Sequence, residues 1–246
     1  MHARTTYTLR SLAQTITFGG LYAIFSFVKI SPILGLPGQT ITAAAMVAPI
    51  IGILIGAYSG TVATIFGGTI GFFSGLMAYP SVISGIVTAS FAGMIRENRR
   101  TVCIFFYCSL LLLFAFYPSV GPFWLFPLSL WFQVVGLVIL LTPFQSTTIQ
   151  NLNSNRQSRL LYAFFLVSLT STLAGQIAGS LAFEITSWPI LIPEVGAWRT
   201  TWQVLAFLYP AERLIIAVSS ALVGASLLRV LKSTSMKNSR ALGLSE

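Results

Sequence analysis

Apolar blocks of 15 to 24 residues alternate along this chain with short breaks of proline, glycine and basic residues. A helix that crosses a bilayer needs about 20 mostly apolar residues, at about 1.5 Å each across roughly 30 Å of hydrocarbon. Eight segments approach that pattern: 12–28, 41–58, 61–77, 81–95, 102–117, 123–141, 160–183 and 211–231. Inside them the apolar positions run on continuously, as at 50–55 and 110–116. Outer-membrane strands would instead alternate apolar and polar residues over about 10 positions. Segment 81–95 is short and rich in Ser and Gly, so it reads as a span or as a re-entrant piece. Segments 41–58 and 61–77 meet at Ser59-Gly60, which predicts a tight helical hairpin.

The breaks carry their own punctuation. Ser31-Pro32 and Leu36-Pro37-Gly38 follow the first segment, Tyr79-Pro80 the third, and Pro118 with Gly121-Pro122 the fifth. Pro189, Pro193 and Pro210 bracket a connection over 187–208, and the longest polar connection is 142–159. Proline fixes φ and lacks an N–H, so it favours helix starts and connections. Tyr209-Pro210 therefore predicts the start of the last helix. Pro49 falls inside the second segment and predicts a kink there.

Composition narrows the class. Only 8% of the 246 residues are charged and 55% are hydrophobic, against about 25% charged in an ordinary soluble domain. Two Cys exclude a disulfide scaffold, and this hydrophobicity excludes a disordered chain. The net charge is +9. In a soluble protein that excess would suggest nucleic acid; here topology absorbs it. With the N-terminus in the cytoplasm, eight crossings put Arg4, Arg10, Arg96, Arg99, Arg100, Arg156, Arg159, Arg229, Lys232, Lys237 and Arg240 inside. Lys29, Arg199 and Arg213 fall outside. That bias satisfies the positive-inside rule, whereas seven crossings would export one of the Arg runs. No small-x-small cleavage site follows the first segment promptly, so it reads as a retained helix. The expected fold is an all-α polytopic membrane protein of the cell (plasma) membrane. It forms one transmembrane domain over 1–246, a compact bundle of about eight spans with both termini inside and a polar cytoplasmic tail at 233–246.

The inventory leaves little room for catalysis. The only His is His2, no Asp occurs, and no phosphate-binding loop is present. Cys103 and Cys108 share one apolar helix and read as small buried hydrophobes. Neither an enzyme nor a cofactor is expected. Small residues recur at spacing four: Gly19 and Ala23; Gly52, Gly56 and Gly60; Gly67, Gly71 and Gly75; Ser171, Gly175 and Gly179. Such ladders let backbones approach closely, either within the bundle or against a separate subunit.

The outer side carries six charges that cancel: Lys29, Arg199 and Arg213 against Glu184, Glu194 and Glu212. Glu212 in a first helical turn would be favoured by the helix dipole. Arg213 has no such reason to be there and points to a Glu or an anionic ligand as partner. Trp188, Trp198, Trp202 and Tyr209 crowd the same level. They read as an interfacial aromatic belt or as walls of a pocket with a few polar anchors. Lys29, Glu184, Trp198, Arg199, Trp202, Glu212 and Arg213 are the candidate substrate-binding residues.

Three stretches carry a family resemblance: Gly19-Gly20-Leu21-Tyr22-Ala23; the run from Leu36-Pro37-Gly38 through Ala48-Pro49-Ile50-Ile51-Gly52 to Gly75, extended by Ala92-Gly93-Met94; and Tyr209-Pro210-Ala211-Glu212-Arg213-Leu214. Together they resemble the substrate-binding S component of energy-coupling-factor (ECF) transporters. The resemblance implies capture of a vitamin or similar micronutrient at the outer face. It also implies a separate transmembrane scaffold subunit and ABC-type ATPases as partners, with small residues of the first helix, here Gly19 and Ala23, touching the scaffold. The family usually has six spans, so region 101–142 reads as an inserted helical hairpin. Metal-transporting relatives begin Met-His and use further His. Met1-His2 stands here without a second His, so no metal is expected. Two other classes stay open: a secondary transporter or channel, which needs coupling acids at mid-membrane that the spans lack, and a structural subunit packed by its glycine ladders.

Overall fold

α-Helix takes up most of the residues described in the computed structural model, which are 2–33, 38, 40–152, 154 and 156–241. Met1, the Leu36-Pro37 pair and residues 242–246 lie outside them. The elements are α1 (His2–Phe25), the strands β1 (Lys29–Pro32) and β2 (Thr40–Thr42), α2 (Ala44–Ile55), α3 (Ala57–Phe73), α4 (Tyr79–Arg96) and α5 (Arg100–Ala115). They continue with α6 (Pro122–Leu125), a 3-10 turn (Pro127–Leu130), α7 (Trp131–Leu141), α8 (Phe144–Leu152), α9 (Gln157–Ser187) and α10 (Val195–Ala241). The expected all-α class holds, with one small antiparallel hairpin in which Pro32 pairs with Thr40.

Several boundaries differ from the apolar pattern, each for a local reason. The corner between α2 and α3 falls at Gly56, not Ser59-Gly60, because φ there is +86°, a conformation glycine reaches without strain. Two charges from the end of α4 close the corner. Arg96 donates to the Leu54 carbonyl at 2.8 Å, and Glu97 accepts from the Ala57 N–H at 2.8 Å. A cation thus meets the C-terminus of α2 and an anion the N-terminus of α3, as their dipoles favour. Arg100 likewise donates to the carbonyls of Leu140, Leu141 and Thr142 at the end of α7. Segment 81–95 is a full helix of 18 residues. Segment 123–141 is instead broken at Phe126-Pro127 into α6, the 3-10 turn and α7. The connection 142–159 contains α8, whose Thr148 and Leu152 are buried. α10 runs on into the stretch expected as a polar tail.

The largest departure is at Pro210. It does not open the last helix but lies inside α10, which already begins at Val195. A proline within a helix leaves the carbonyl four residues earlier without its partner. Here that carbonyl belongs to Ala206, and the Trp131 indole N–H donates to it at 2.9 Å. Pro49 lies within α2 in the same way, and the Ser220 hydroxyl of α10 donates to the Met46 carbonyl at 2.6 Å beside it.

Two apolar clusters form the interior. The smaller joins Tyr22, Ala44, Val47, Ile51, Ala63 and Met77 of α1–α3 and the turn after α3. The larger gathers α4–α10 around α9, and it includes Cys103, Tyr107 and Phe132 of region 101–142. That region is therefore part of one shared core. The small-residue ladders join the chain to itself. A β-carbon at Gly52 would run into the Ala89 carbonyl of α4, one at Gly67 into the Gly19 carbonyl of α1, and one at Gly175 into Thr88 of α4.

The polar pattern is reversed relative to a water-soluble fold. Ser168, Thr170, Ser171, Thr172, Gln176 and Ser180 of α9 are buried, while Phe73 is 82% and Phe105 75% exposed. Among the described residues two helices, Gln157–Ser187 and Val195–Leu231, are long and apolar enough to cross a membrane.

The Trp131 contact yields a test. Trp131→Phe removes the donor from a carbonyl that Pro210 cannot serve, and should cost about 1–3 kcal/mol. In a Pro210→Ala background the helix supplies its own N–H, so the same change should cost measurably less. Denaturation of the four proteins in detergent gives the coupling, and equal costs in both backgrounds would remove this role from Trp131.

Candidate functional site

A cavity of about 70 Å³ opens where the two apolar clusters meet, beside the β1–β2 hairpin. On one side stand Tyr22 of α1 and Thr42 of β2; α4 contributes Ser84, Gly85 and Thr88. On the other stand Thr172, Gln176 and Ser180 of α9 with Tyr209 and Arg213 of α10. Missing side chains make the space. The Tyr22 hydroxyl sits where a β-carbon on Gly85 would be, and a β-carbon on Gly179 would lie 2.8 Å from the Pro80 carbonyl.

The lining is mixed, and four of its polar atoms are uncompensated. The Tyr22 and Thr42 hydroxyls, the Gln176 side-chain oxygen and Arg213 Nε are buried without a hydrogen-bond partner among the described residues. The other end of the Gln176 amide is held. Its Nε2 donates to the Gln133 side-chain oxygen at 3.2 Å, with the Gln133 amide turned to donate to the Ser129 and Leu130 carbonyls. Arg213 is 5% exposed. Its nearest acid contact is 3.9 Å, from Nη2 to Glu212, and its guanidinium carbon stands 5.8 Å from the centre of the Tyr209 ring. Glu212 faces the hairpin, where it accepts from the Ser31 hydroxyl. Buried polar groups are normally satisfied, so several uncompensated ones around one space mark a place where something binds.

The expected site residues separate in the structure. Arg213 lines the cavity, and Glu212 ties the hairpin to α10 beside it. Glu212 lies in mid-helix, which overturns the reading of it as a first-turn cap. Glu184 is 0% exposed, and neither of its oxygens nor the Ser187 hydroxyl has a partner among the described residues, yet it does not line the cavity. Lys29 and Arg199 are exposed and do not reach it.

Trp198 and Trp202 are core residues, not pocket walls. Trp198 donates to the Ile192 carbonyl at 2.9 Å and Trp202 to that of Val120 at 2.8 Å. Their rings stack in the order Phe183, Trp198, Trp202, Phe114, with centroids 5.3, 5.8 and 5.5 Å apart. Continuation of α10 upstream of Pro210 turns them inward. Gly19 and Ala23 are buried against α3 at Gly67, so their face is occupied within the chain.

The sequence reading missed Tyr22, Thr42, Gln176, Ser84, Thr88 and Ser180. A signal for part of this set exists: Thr172, Gln176 and Ser180 recur at spacing four in an apolar segment, as do Ser84 and Thr88. Tyr22 and Thr42 carry no such mark. Among the described residues no three His, Cys, Asp or Glu side chains converge. The donors and acceptors at hand are hydroxyl, amide and guanidinium groups.

Trp202→Phe keeps a ring in the stack but leaves the Val120 carbonyl without its donor. It should lower stability by about 1–3 kcal/mol and leave the affinity for a cavity ligand unchanged. A melt in detergent beside a binding titration separates the two effects, and weakened binding at unchanged stability would return Trp202 to the site. Comparison with protein-family models, with curated proteins and with solved structures finds no match to this chain.

Proposed function

We propose that this chain is a multi-pass membrane protein that captures a small molecule at its outer face. On this reading it is the S component of an ECF-type importer. It crosses about eight times with both termini inside, binds a vitamin or similar micronutrient, and delivers it with a separate scaffold subunit and ABC-type ATPases. The observation that carries the proposal is the cavity beside the β1–β2 hairpin, with four uncompensated polar atoms in its lining. Its position supports the direction of capture. Arg96, Arg99 and Arg100 gather at the opposite ends of the helices, with Glu97 at the Gly56 corner. The positive-inside rule puts such a cluster in the cytoplasm. Exposed Phe73 and Phe105 suit contact with lipid rather than water. A scaffold would meet Gly19 and Ala23 only if α1 parts from α3; otherwise it docks on another face of α1.

Secondary transport is the second reading, and Glu184 favours it. A carboxylate enclosed in a long apolar helix without a partner is the type of group that ion-coupled transporters use.

Two measurements test the proposal. Single cysteines placed at Lys29 and at Arg99, in a background without Cys103 and Cys108, should label from opposite sides of the membrane. Purification from native membranes should bring down ABC-type ATPases. Labelling of both positions from one side would sink the topology. Co-purification of an unrelated complex would favour a structural subunit.

A further inference from the structure

We infer that the cavity receives the carboxylate end of a small molecule, held by the Arg213 guanidinium with the Tyr22 and Thr42 hydroxyls, while the Gln176 oxygen accepts an N–H or O–H of the same molecule. The inference deepens the capture reading above and rests on it. Arg213 is the only charged residue that lines the space among the described residues. It is more than nine-tenths buried, and its Nε has no hydrogen-bond partner among the described residues. A guanidinium presents five N–H donors in a planar fork, and a carboxylate meets that fork with two parallel bonds. Glu212 lies near enough to offset part of the charge, but the buried Nε donor stays without an acceptor, and such an unmade bond is costly, which argues that its partner arrives from outside the chain.

Glu212 does not fill the role. Consecutive residues on a helix point about 100° apart. Glu212 Oε1 accordingly takes the Ser31 hydroxyl of the hairpin, while Oε2 stands 3.9 Å from Arg213, beyond hydrogen-bond distance and without a hydrogen-bond partner among the described residues. Lys29 and Arg199 are exposed and add no second cation. One cation therefore matches one anionic group.

The hydroxyls of Tyr22 and Thr42 extend the donor set. The Gln176 oxygen supplies an acceptor, because the Gln133 contact holds the opposite end of its amide. Size sets a further limit. A closed cavity of about 150 Å³ holds a benzene ring, and this one is about 70 Å³. It fits an acid head group, with the body of the ligand lying toward Ile33 and Ile41 beside the hairpin.

The test uses the full chain in detergent. Small molecules retained on purification are identified by mass spectrometry in both ion modes, and butyrate and butyramide serve as matched anionic and neutral probes in thermal-shift titrations. We expect a retained carboxylate near one per chain, and stabilisation by butyrate that exceeds that by butyramide and disappears in Arg213→Gln. Thr42→Val removes a buried hydroxyl without a partner. The empty variant should melt at or above the wild-type temperature, while its affinity for the carboxylate falls at least tenfold. A purely structural Thr42 would show the reverse. A retained neutral or cationic molecule, or equal response to both probes, overturns the carboxylate assignment and leaves capture standing. No retained molecule and no response to either probe overturns both.

Discussion

The indole N–H of Trp131 on the carbonyl of Ala206 lets α10 continue past Pro210. Where water is scarce, every backbone group must find its partner inside the protein, and a proline within a helix always leaves one carbonyl wanting. A helix starting at Pro210 would hold Glu212 and Arg213 in its first turn, near the surface. A helix already running from Val195 holds them in mid-course, with Arg213 turned into the cavity and Glu212 toward Ser31. The same continuity carries Trp198 and Trp202 into the core.

The same rule recurs at the other breaks. Arg96, Glu97 and Arg100 serve helix ends, at Leu54, Ala57 and the carbonyls of Leu140, Leu141 and Thr142. These charges do local work as caps. The cavity is an exception to this general satisfaction. Around it, close packing through Gly85, Gly175 and Gly179 brings polar side chains together and leaves the Tyr22 and Thr42 hydroxyls, the Gln176 oxygen and Arg213 Nε without a partner among the described residues. Rigid small-residue contacts elsewhere, such as Gly52 on α4, hold that arrangement in place.

Much of the helical order was legible because a long apolar run admits few other structures. Segments 12–28, 61–77, 102–117 and 160–183 each correspond to one helix, and the ambiguous 81–95 became α4. The misses share a cause. The Gly56 corner and Pro210 act through single backbone groups, whose outcome depends on residues far away in the chain. Pro210 reads as a helix start in isolation and becomes a helix interior only because Trp131, nearly 80 positions earlier, reaches its orphaned carbonyl. Of the candidate site residues, Arg213 was singled out because a cation beside an expected helix N-terminus has no local reason to be there; the structure puts it in mid-helix and buries it. Lys29, Arg199 and the two tryptophans were grouped with it by level alone, and level does not tell which way a side chain turns.

By itself the sequence determined that the chain is helical and that its charge is lopsided, and it pointed to Arg213. These follow from composition and from the position of residues along one axis. Tertiary structure alone decided which polar groups meet around the cavity. Tyr22, Thr42, Gln176 and Arg213 come from four elements far apart in the chain. Only the rotation and close approach of those elements determine that their polar atoms face one space.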